Sequence, residues 1–527
     1  MAQAICTITG QPFQIAPQEL ALLDTLQSAH PLLTDTLPLP TVAPMEFLRR
    51  FAAWGNLLNL FKSHSALSGR SLLSRYNPAL PYKVCAPEEF WSQQVDNSMF
   101  ARPYDFSRPF FDQYDELLRS VYWVALSNPN CEGSEYVNGA NGAKNSYLSF
   151  GVFNSEECLY CYMVSDSQAC IDCVDCTRCQ YCFDARSIHR CYECFSCSYS
   201  RDCTSCIFCD DCVGCSNCLF CYGLRHAQYM IENQPVTREY YESYLQSLHL
   251  ESRMRYLEAQ RHFSALLVQS NHIAQHSFMC EESIGFCLSQ VQNVRNSFYT
   301  HNAQDCGYVM LSHDCKDVWR GIGERAELAY QSSLYFGGYA AYNCYTDVGG
   351  NFNLYSTFLY NGCSHCFGCA GLNKKSYAIL NKQYSKEEYY ALVPQIVAHM
   401  KSTGEWGAFF PPRIAPHYVE HSFANDWMVP CAPDELRQLG YRVMPEDAGS
   451  NLVVHESAEN LAAKFVPDTF AEFQEAPTAG VFECAATHKR FKLQRYEVDF
   501  YTRYNLPPPA MHWQERMLLK TRGTIRD

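Results

Sequence analysis

The chain lacks the usual sequence marks of catalysis. It holds no G-x-x-x-x-G-K-[ST], no H-E-x-x-H and no G-x-S-x-G. That excludes the phosphate loop, the helical zinc protease and the nucleophile elbow in their common forms. Gly321-Ile-Gly323 and Gly349-Gly350 lack the strand–turn–helix setting of a dinucleotide loop, and Glu281-Glu282 is read as a solvated turn. Charge is sparse as well. Only 18% of residues are charged and the net charge is −14, so a broad nucleic-acid-binding surface is not expected. The basic tail with Lys520, Arg522 and Arg526 is too short to change that. No stretch approaches the ~18 apolar residues of a membrane span. The start, MAQAICTITGQPFQ, has neither the basic residues nor the apolar run of a secretory signal. A cytoplasmic location follows as the expectation, with thiols reduced and a disulfide ladder disfavoured.

What the chain has is cysteine, 30 of them in 527 residues, with 36 Tyr and 32 Phe. Seventeen cysteines between 158 and 221 share one three-residue frame. The run CIDCVDCTRCQYC (170–182) carries five. Where the frame has no Cys it holds Val164, Ser167, Ala185, Ile188 and Ser200. Upstream it continues as Cys131, Ser134, Val137, Ala140, Ala143, Ser146, Ser149, Val152 and Ser155, and it ends at Leu224. No charge, amide or ring falls in these slots. Asp172, Asp175, Arg178, Tyr181, Glu193 and Asp211 all lie off the frame.

A period of three is neither the strand's 2.0 nor the helix's 3.6. It suits a chain that turns a corner every few residues, and a polyproline II bundle fits the same period. A shift of 21 residues superposes the slots of 158–178 on 179–199, with Tyr160 on Tyr181 and Tyr162 on Phe183. The expected fold class is therefore mainly β with capping α-helices, built on two Cys-rich β-solenoid (β-helix-like) segments. A 12-residue coil is the alternative repeat.

The second segment follows Leu288, Val291, Val294, Ser297, Thr300, Ala303, Cys306, Val309, Ser312, Cys315, Val318 and Gly321, then returns as Cys363, Cys366 and Cys369. CSNCLFCYGL (215–224) matches CSHCFGCAGL (363–372), and Tyr229, Ile231 and Asn233 match Tyr377, Ile379 and Asn381. A helix is predicted after each copy. Thr237 caps one whose stripe includes Tyr241, Tyr244, Leu245 and Leu248. Ser385 with Glu388 forms a capping box for the other, ahead of Tyr389 and Leu392.

Two chemical readings of the cysteines stay open. A metal ligand cannot be exchanged for Val, Ala or Ile, whereas a packing slot can, because buried Cys behaves as a small hydrophobe. Slot exchange favours packing. The C-x-x-C spacing is also that of zinc and iron–sulfur sites. The candidate metal ligands are Cys170, Cys173, Cys176, Cys179, Cys182, Cys203, Cys206, Cys209, Cys212, Cys215, Cys218, Cys221, Cys363, Cys366 and Cys369, for Zn, Cu or an iron–sulfur cluster. His365, inside C-S-H-C, is read as a partly exposed loop histidine rather than a ligand.

The two ends resemble each other. CTITGQPFQI from Cys6 and CAATHKRFKL from Cys484 share Thr at +3, Phe at +7, an aliphatic at +9 and Glu at +13 (Glu19 and Glu497). LPLP (37–40) and LPPP (506–509) follow them. Each looks like half a zinc ribbon whose second Cys has become Thr9 or Thr487. Cys85 and Cys431 are the other thiols that could complete a site.

LLSRYNPALPYKV (72–84), DFSRPFFDQYDEL (105–117), KNSYLSFG (144–151), LNKQYSKEEYYALV (380–393) and GEWGAFFP (404–411) resemble an uncharacterised bacterial family of cysteine-rich proteins, of the candidate-phyla type. The resemblance extends to the segment 484–516. It implies paired C-x-x-C motifs and a zinc ribbon at the N-terminus. This sequence departs from that pattern at Thr9 and in VAPMEF (42–47), and the resemblance implies no substrate or activity.

The expected organisation is a zinc-ribbon-like module over 1–60 and an α/β connector over 61–130. The first solenoid spans 131–234, a helical connector 235–276 and the second solenoid 277–384. A helix with extended linker covers 385–480, and 481–527 resembles the N-terminus. The leading functional expectation is a non-enzymatic cytoplasmic scaffold or interaction protein with a protein partner or self-association, off the membrane and away from nucleic acid. Tyr192 and Tyr199 are candidates for its recognition face. A metal-thiolate protein and a thiol redox buffer are the alternatives.

Overall fold

The computed structural model describes residues 2–33, 37–92, 94–177, 186–189, 196–270, 277–278, 284–289, 295–301, 307, 318–321, 326–327, 330–331, 333–334, 338–347, 350–445 and 463–522. Its side chains are described for these except 175–177, 186–189, 277–278, 284–289, 295–301, 326–327, 333–334, 338 and 346–347.

The three-residue frame is a backbone rule before it is a side-chain rule. From Asn145 to Asp172, and again from Ser196 to Tyr229, every third residue is left-handed, with φ near 50° for most. Leu148 (44°), Tyr160 (54°) and Phe208 (51°) show that the rule extends well beyond glycine. Each such residue precedes a frame residue. The left-handed slots hold no Val, Ile or Thr, whose branched Cβ would clash there. Those types occupy the third slot instead, as in Ile171, Val174, Thr204, Ile207 and Val213.

The corners stack short parallel strands. Phe150 pairs with Tyr162 and Tyr162 with Val174, while Ile207 pairs with Leu219. Each step is twelve residues. The same step joins Tyr345 to Thr357 and Ser364 to Ser376 in the second region. Between them one extra residue is absorbed, so that Asn351 faces Ser364 and Leu354 faces Phe367. Asn361 (53°) and Gly362 (80°) are both left-handed at that point and accommodate the longer step.

This architecture corrects the expected fold class. The described residues hold eleven α-helices and ten small sheets of two to four strands, none of them a solenoid or a closed barrel. Left-handed residues recur inside these strands, as at Met163, Phe208 and Tyr377, and no described strand is longer than seven residues. Helices take up much of the remaining apolar surface. The repeat is twelve residues rather than 21.

Two apolar regions result. The frame residues, including Val137, Ala143, Val152, Cys161, Val164, Cys209 and Cys218, form a dry interior. On the outer side, Phe150, Leu159, Tyr162, Ile171, Phe208 and Phe220 join a larger core with residues of the helices Pro44–Ala52, Phe110–Ser120, Arg253–Gln269 and Trp513–Thr521.

Both regions end alike. Strand Gln228–Ile231 turns through Glu232 and Asn233 into Gln234–Pro235, and Ser376–Ile379 turns through Leu380 and Asn381 into Lys382–Gln383. All four turn residues have positive φ, as a two-residue hairpin requires. Asn233 clamps both backbone groups of Tyr222 (3.0 and 2.9 Å), and Asn381 clamps those of Ala370 (2.9 Å each). The expected helices follow. Thr237 Oγ1 accepts the Tyr240 N–H (3.3 Å) ahead of Arg238–Ser247. Ser385 and Glu388 close a capping box (2.8 and 3.1 Å) ahead of Lys386–Ser402.

Candidate functional site

The described frame thiols face inward. Cys158, Cys161, Cys170, Cys173, Cys197 and every frame cysteine from Cys203 to Cys221 are at most 1% exposed. The S–H groups lie against backbone carbonyls of their own step, and several reach one in the next step as well. Cys161 Sγ is 3.5 Å from the Leu159 carbonyl and 3.4 Å from that of Cys170, and Cys203 Sγ is 3.4 Å from those of Arg201 and Cys212. Serine does the same work in the same slot. Ser149 Oγ reaches the carbonyls of Tyr147 and Cys158 at 3.1 Å and accepts the Cys161 N–H at 3.0 Å. A slot suits any small side chain that is apolar or can donate to a carbonyl.

The candidate ligands divide accordingly. Cys170, Cys173, Cys203, Cys206, Cys209, Cys212, Cys215, Cys218 and Cys221 lie in the first interior, and Cys363, Cys366 and Cys369 in a second one with Leu359, Leu372 and Ala378. Cys176 pairs with Ile188 through the backbone. Cys179 and Cys182 lie outside the described residues, as do Tyr192, Glu281 and Glu282. Among the described residues no group of three or more His, Cys, Asp or Glu side chains is arranged to hold a metal ion, and the described cysteines carry no disulfide. Burial pushes the Cys161 and Cys209 thiols upward, which holds them neutral. At one end of the second run Cys221 is lowered to about 4, because the Cys209 and Cys218 thiols hydrogen-bond to it.

His365 sits in strand Ser364–Phe367, not in a loop, between the rings of Phe352 (5.0 Å) and Tyr377 (4.9 Å). Burial lowers its pKa.

Sequence reading missed a buried charged cluster. Arg516 lies 3.1 Å from Asp172 and 3.0 Å from Glu497. Tyr501 OH donates to Asp172 (2.7 Å), Tyr160 OH to Glu497 (3.2 Å) and Lys520 Nζ to the Asp172 carbonyl (2.6 Å). The guanidinium stacks over Tyr160 at 5.0 Å. Burial raises the Glu497 pKa. Arg516 stays firmly protonated against its burial because Asp172 faces it. The cluster fastens the helices Arg495–Arg503 and Trp513–Thr521 to the first stack. At the other end of the chain Glu19 pairs with Arg320 at 2.8 Å, both at most 1% exposed. The signal was present in the shared Glu at +13 of the two ends.

No family model and no curated protein matches the chain. Among the described residues no helix is long and apolar enough to cross a membrane.

Proposed function

We propose that the protein is a non-enzymatic scaffold or interaction protein of a reducing, cytoplasmic setting. One observation carries this reading. The thiols that dominate the sequence are spent on backbone carbonyls inside the stack, in slots they share with Ser, Val and Ala. Free thiols at every described cysteine are what a reducing compartment maintains. The helix Arg253–Gln269 supplies a face for a protein partner or for self-association. Its Tyr256, Ala259 and Phe263 are buried, while Met254 (70% exposed), Leu257 (45%) and Val268 (80%) point outward.

The test is labelling of the native protein with a bulky thiol reagent, paired with light scattering. Near-zero labelling before denaturation, and a larger species that Met254→Glu with Leu257→Glu dissolves, are expected. Rapid native labelling of the frame cysteines, or turnover by the isolated chain, overturns the reading.

Soft-metal uptake is the second reading, resting on the number of thiols gathered in one interior, among them Cys203, Cys206, Cys209 and Cys218. Elemental analysis of anaerobically purified protein separates the two. Several ions per chain support uptake, and none removes it.

A further inference from the structure

Among the described residues three hairpins are closed by one hydrogen-bond pattern, and two of them belong to the paired ends. In the first, between strands Ala2–Ile5 and Pro12–Ile15, the Cys6 N–H donates to the Gln11 carbonyl (2.9 Å) and Gly10 N–H to the Cys6 carbonyl (2.9 Å). In the last, between Phe482–Glu483 and Arg490–Phe491, Cys484 N–H donates to Lys489 (2.8 Å) and His488 N–H to Cys484 (3.0 Å). The third lies between Phe61–His64 and Ser71–Ser74. There Ser65 N–H donates to Arg70 (2.9 Å) and Gly69 N–H to Ser65 (2.8 Å). The fifth residue of each knuckle is left-handed: Gly10 at 69°, Gly69 at 75° and His488 at 58°.

The likeness continues into a second element. The residue after the knuckle's first position donates to a carbonyl just upstream of a helix: Thr7 to Thr41 (2.8 Å), Ala66 to Val84 (2.7 Å) and Ala485 to Ala510 (3.0 Å). Two residues past that carbonyl stands the N-cap, Ala43, Ala86 or His512. Three further on stands a glutamate, Glu46, Glu89 or Glu515. Four positions thus recur with two-residue spacings in both pairs, as in a C-x-x-C/C-x-x-C zinc site. They are Cys6, Thr9, Ala43 and Glu46; Ser65, Ser68, Ala86 and Glu89; and Cys484, Thr487, His512 and Glu515.

These positions converge. Ala43 N–H donates to Cys6 Sγ (3.3 Å), Ser65 Oγ to Glu89 (2.5 Å) and Ala86 N–H to the same glutamate oxygen (3.0 Å). The donors present do not fit zinc. The first set has one thiol and no imidazole, and the second has neither. In the third, His512 Nδ1 accepts the Gln514 N–H (3.2 Å) and Glu515 is engaged by Lys489 (2.9 Å).

We propose that residues 2–52, 61–90 and 482–521 are three copies of one knuckle-and-helix unit with zinc-ribbon geometry, each closed by hydrogen bonds where a metal ion would sit. The two ends then share their ribbon-like unit with the segment 61–90, which is a module rather than a connector.

Restoring the thiols tests it. Two full-length variants would be prepared anaerobically: Thr9→Cys/Ala43→Cys/Glu46→Cys, and Ser65→Cys/Ser68→Cys/Ala86→Cys/Glu89→Cys. Co²⁺ and Zn²⁺ are then counted against the parent chain. Each variant is expected to hold one additional ion with the visible absorption of tetrahedral cobalt thiolate. A control with four cysteines placed on the exposed face of Arg253–Gln269 should add none. A variant that folds only with zinc present also supports the proposal. Folded variants that gain no ion, or failure of both to fold in zinc, overturn it.

Discussion

The two stacked regions share a backbone but differ in what covers them. Over residues 131–234 the cover combines rings, with Trp513 on Phe150 (5.6 Å) and Phe263 on Phe208 (6.1 Å), and a buried charged cluster in which Asp172, Glu497, Arg516 and Lys520 meet. Over 338–383 the cover is aromatic. Phe110 packs on Phe367 (5.6 Å) and Tyr355 (5.5 Å), Tyr114 on Phe410 (5.4 Å), and Tyr330 stacks on Tyr342 (5.7 Å). The buried polar links there include neutral ones, as when Tyr114 OH meets Thr357 Oγ1 (2.8 Å) and Tyr355 OH accepts the Gly407 N–H (2.7 Å), and the ion pair of Lys375 with Asp96 (3.4 Å) lies nearer the surface. The inward frame fixes the stack, and the outer slot is free to choose its partner. Ionic cover is the more fragile choice, because a lost partner strands a buried charge.

The sharpest way to break the comparison is Arg516→Met. It removes the guanidinium that both buried carboxylates, Asp172 and Glu497, share, so a loss of about 3–5 kcal/mol in urea unfolding is expected. Adding Asp172→Asn and Glu497→Gln should recover much of it. A cost below about 1 kcal/mol would mean that the cluster is no clamp.

A pH dependence should also belong to the first region. Asp426, on the helix Phe423–Trp427 whose Trp427 packs on Tyr162, is pushed up to about 8 by burial, partly offset by Arg522. The folded chain therefore keeps a proton that the unfolded chain releases above the ordinary value of 3.8. Stability from this group is full below that value and falls as pH rises towards 8. Asp426→Asn should gain on the parent by about 5 kcal/mol between pH 4 and pH 9, roughly 1.4 kcal/mol per pH unit, read from unfolding midpoints. Parallel curves would remove the account.

The left-handed slots offer a smaller test. Asp202 is exposed with φ 54°. Asp202→Val should cost about 1–2 kcal/mol, while Asp202→Gly should be neutral or better. Equal effects of the two would sink the steric argument. Smallest is the comparison of the two following helices. Ser385→Ala should cost about 1 kcal/mol, and Thr237→Ala somewhat less because it lacks the reciprocal glutamate.

The inward frame was legible because thiol, hydroxyl and small apolar groups alternate in it without a single charge. The twelve-residue step was less legible, because Tyr160 also matches Tyr181 at an offset of 21 residues. The left-handed slot just before each frame residue carried that information. Gly, Asn and Asp recur there and branched residues are missing. Burial of Asp172 was not legible, because its partner Arg516 lies 344 residues away. The middle knuckle was hidden for a simpler reason: Ser65 and Ser68 carry no cysteine to draw the eye, although their hydrogen bonds repeat those of Cys6.

The paired left-handed residues Asn361 and Gly362 have a consequence for how such a chain can change length. They act as an expansion joint: the surplus residue is folded into one corner, and the rungs on either side keep their own spacing. Insertions at corners of this kind should be absorbed where they fall, leaving distant pairings untouched. Elsewhere along a rung, one added residue would turn every later side chain to the wrong face.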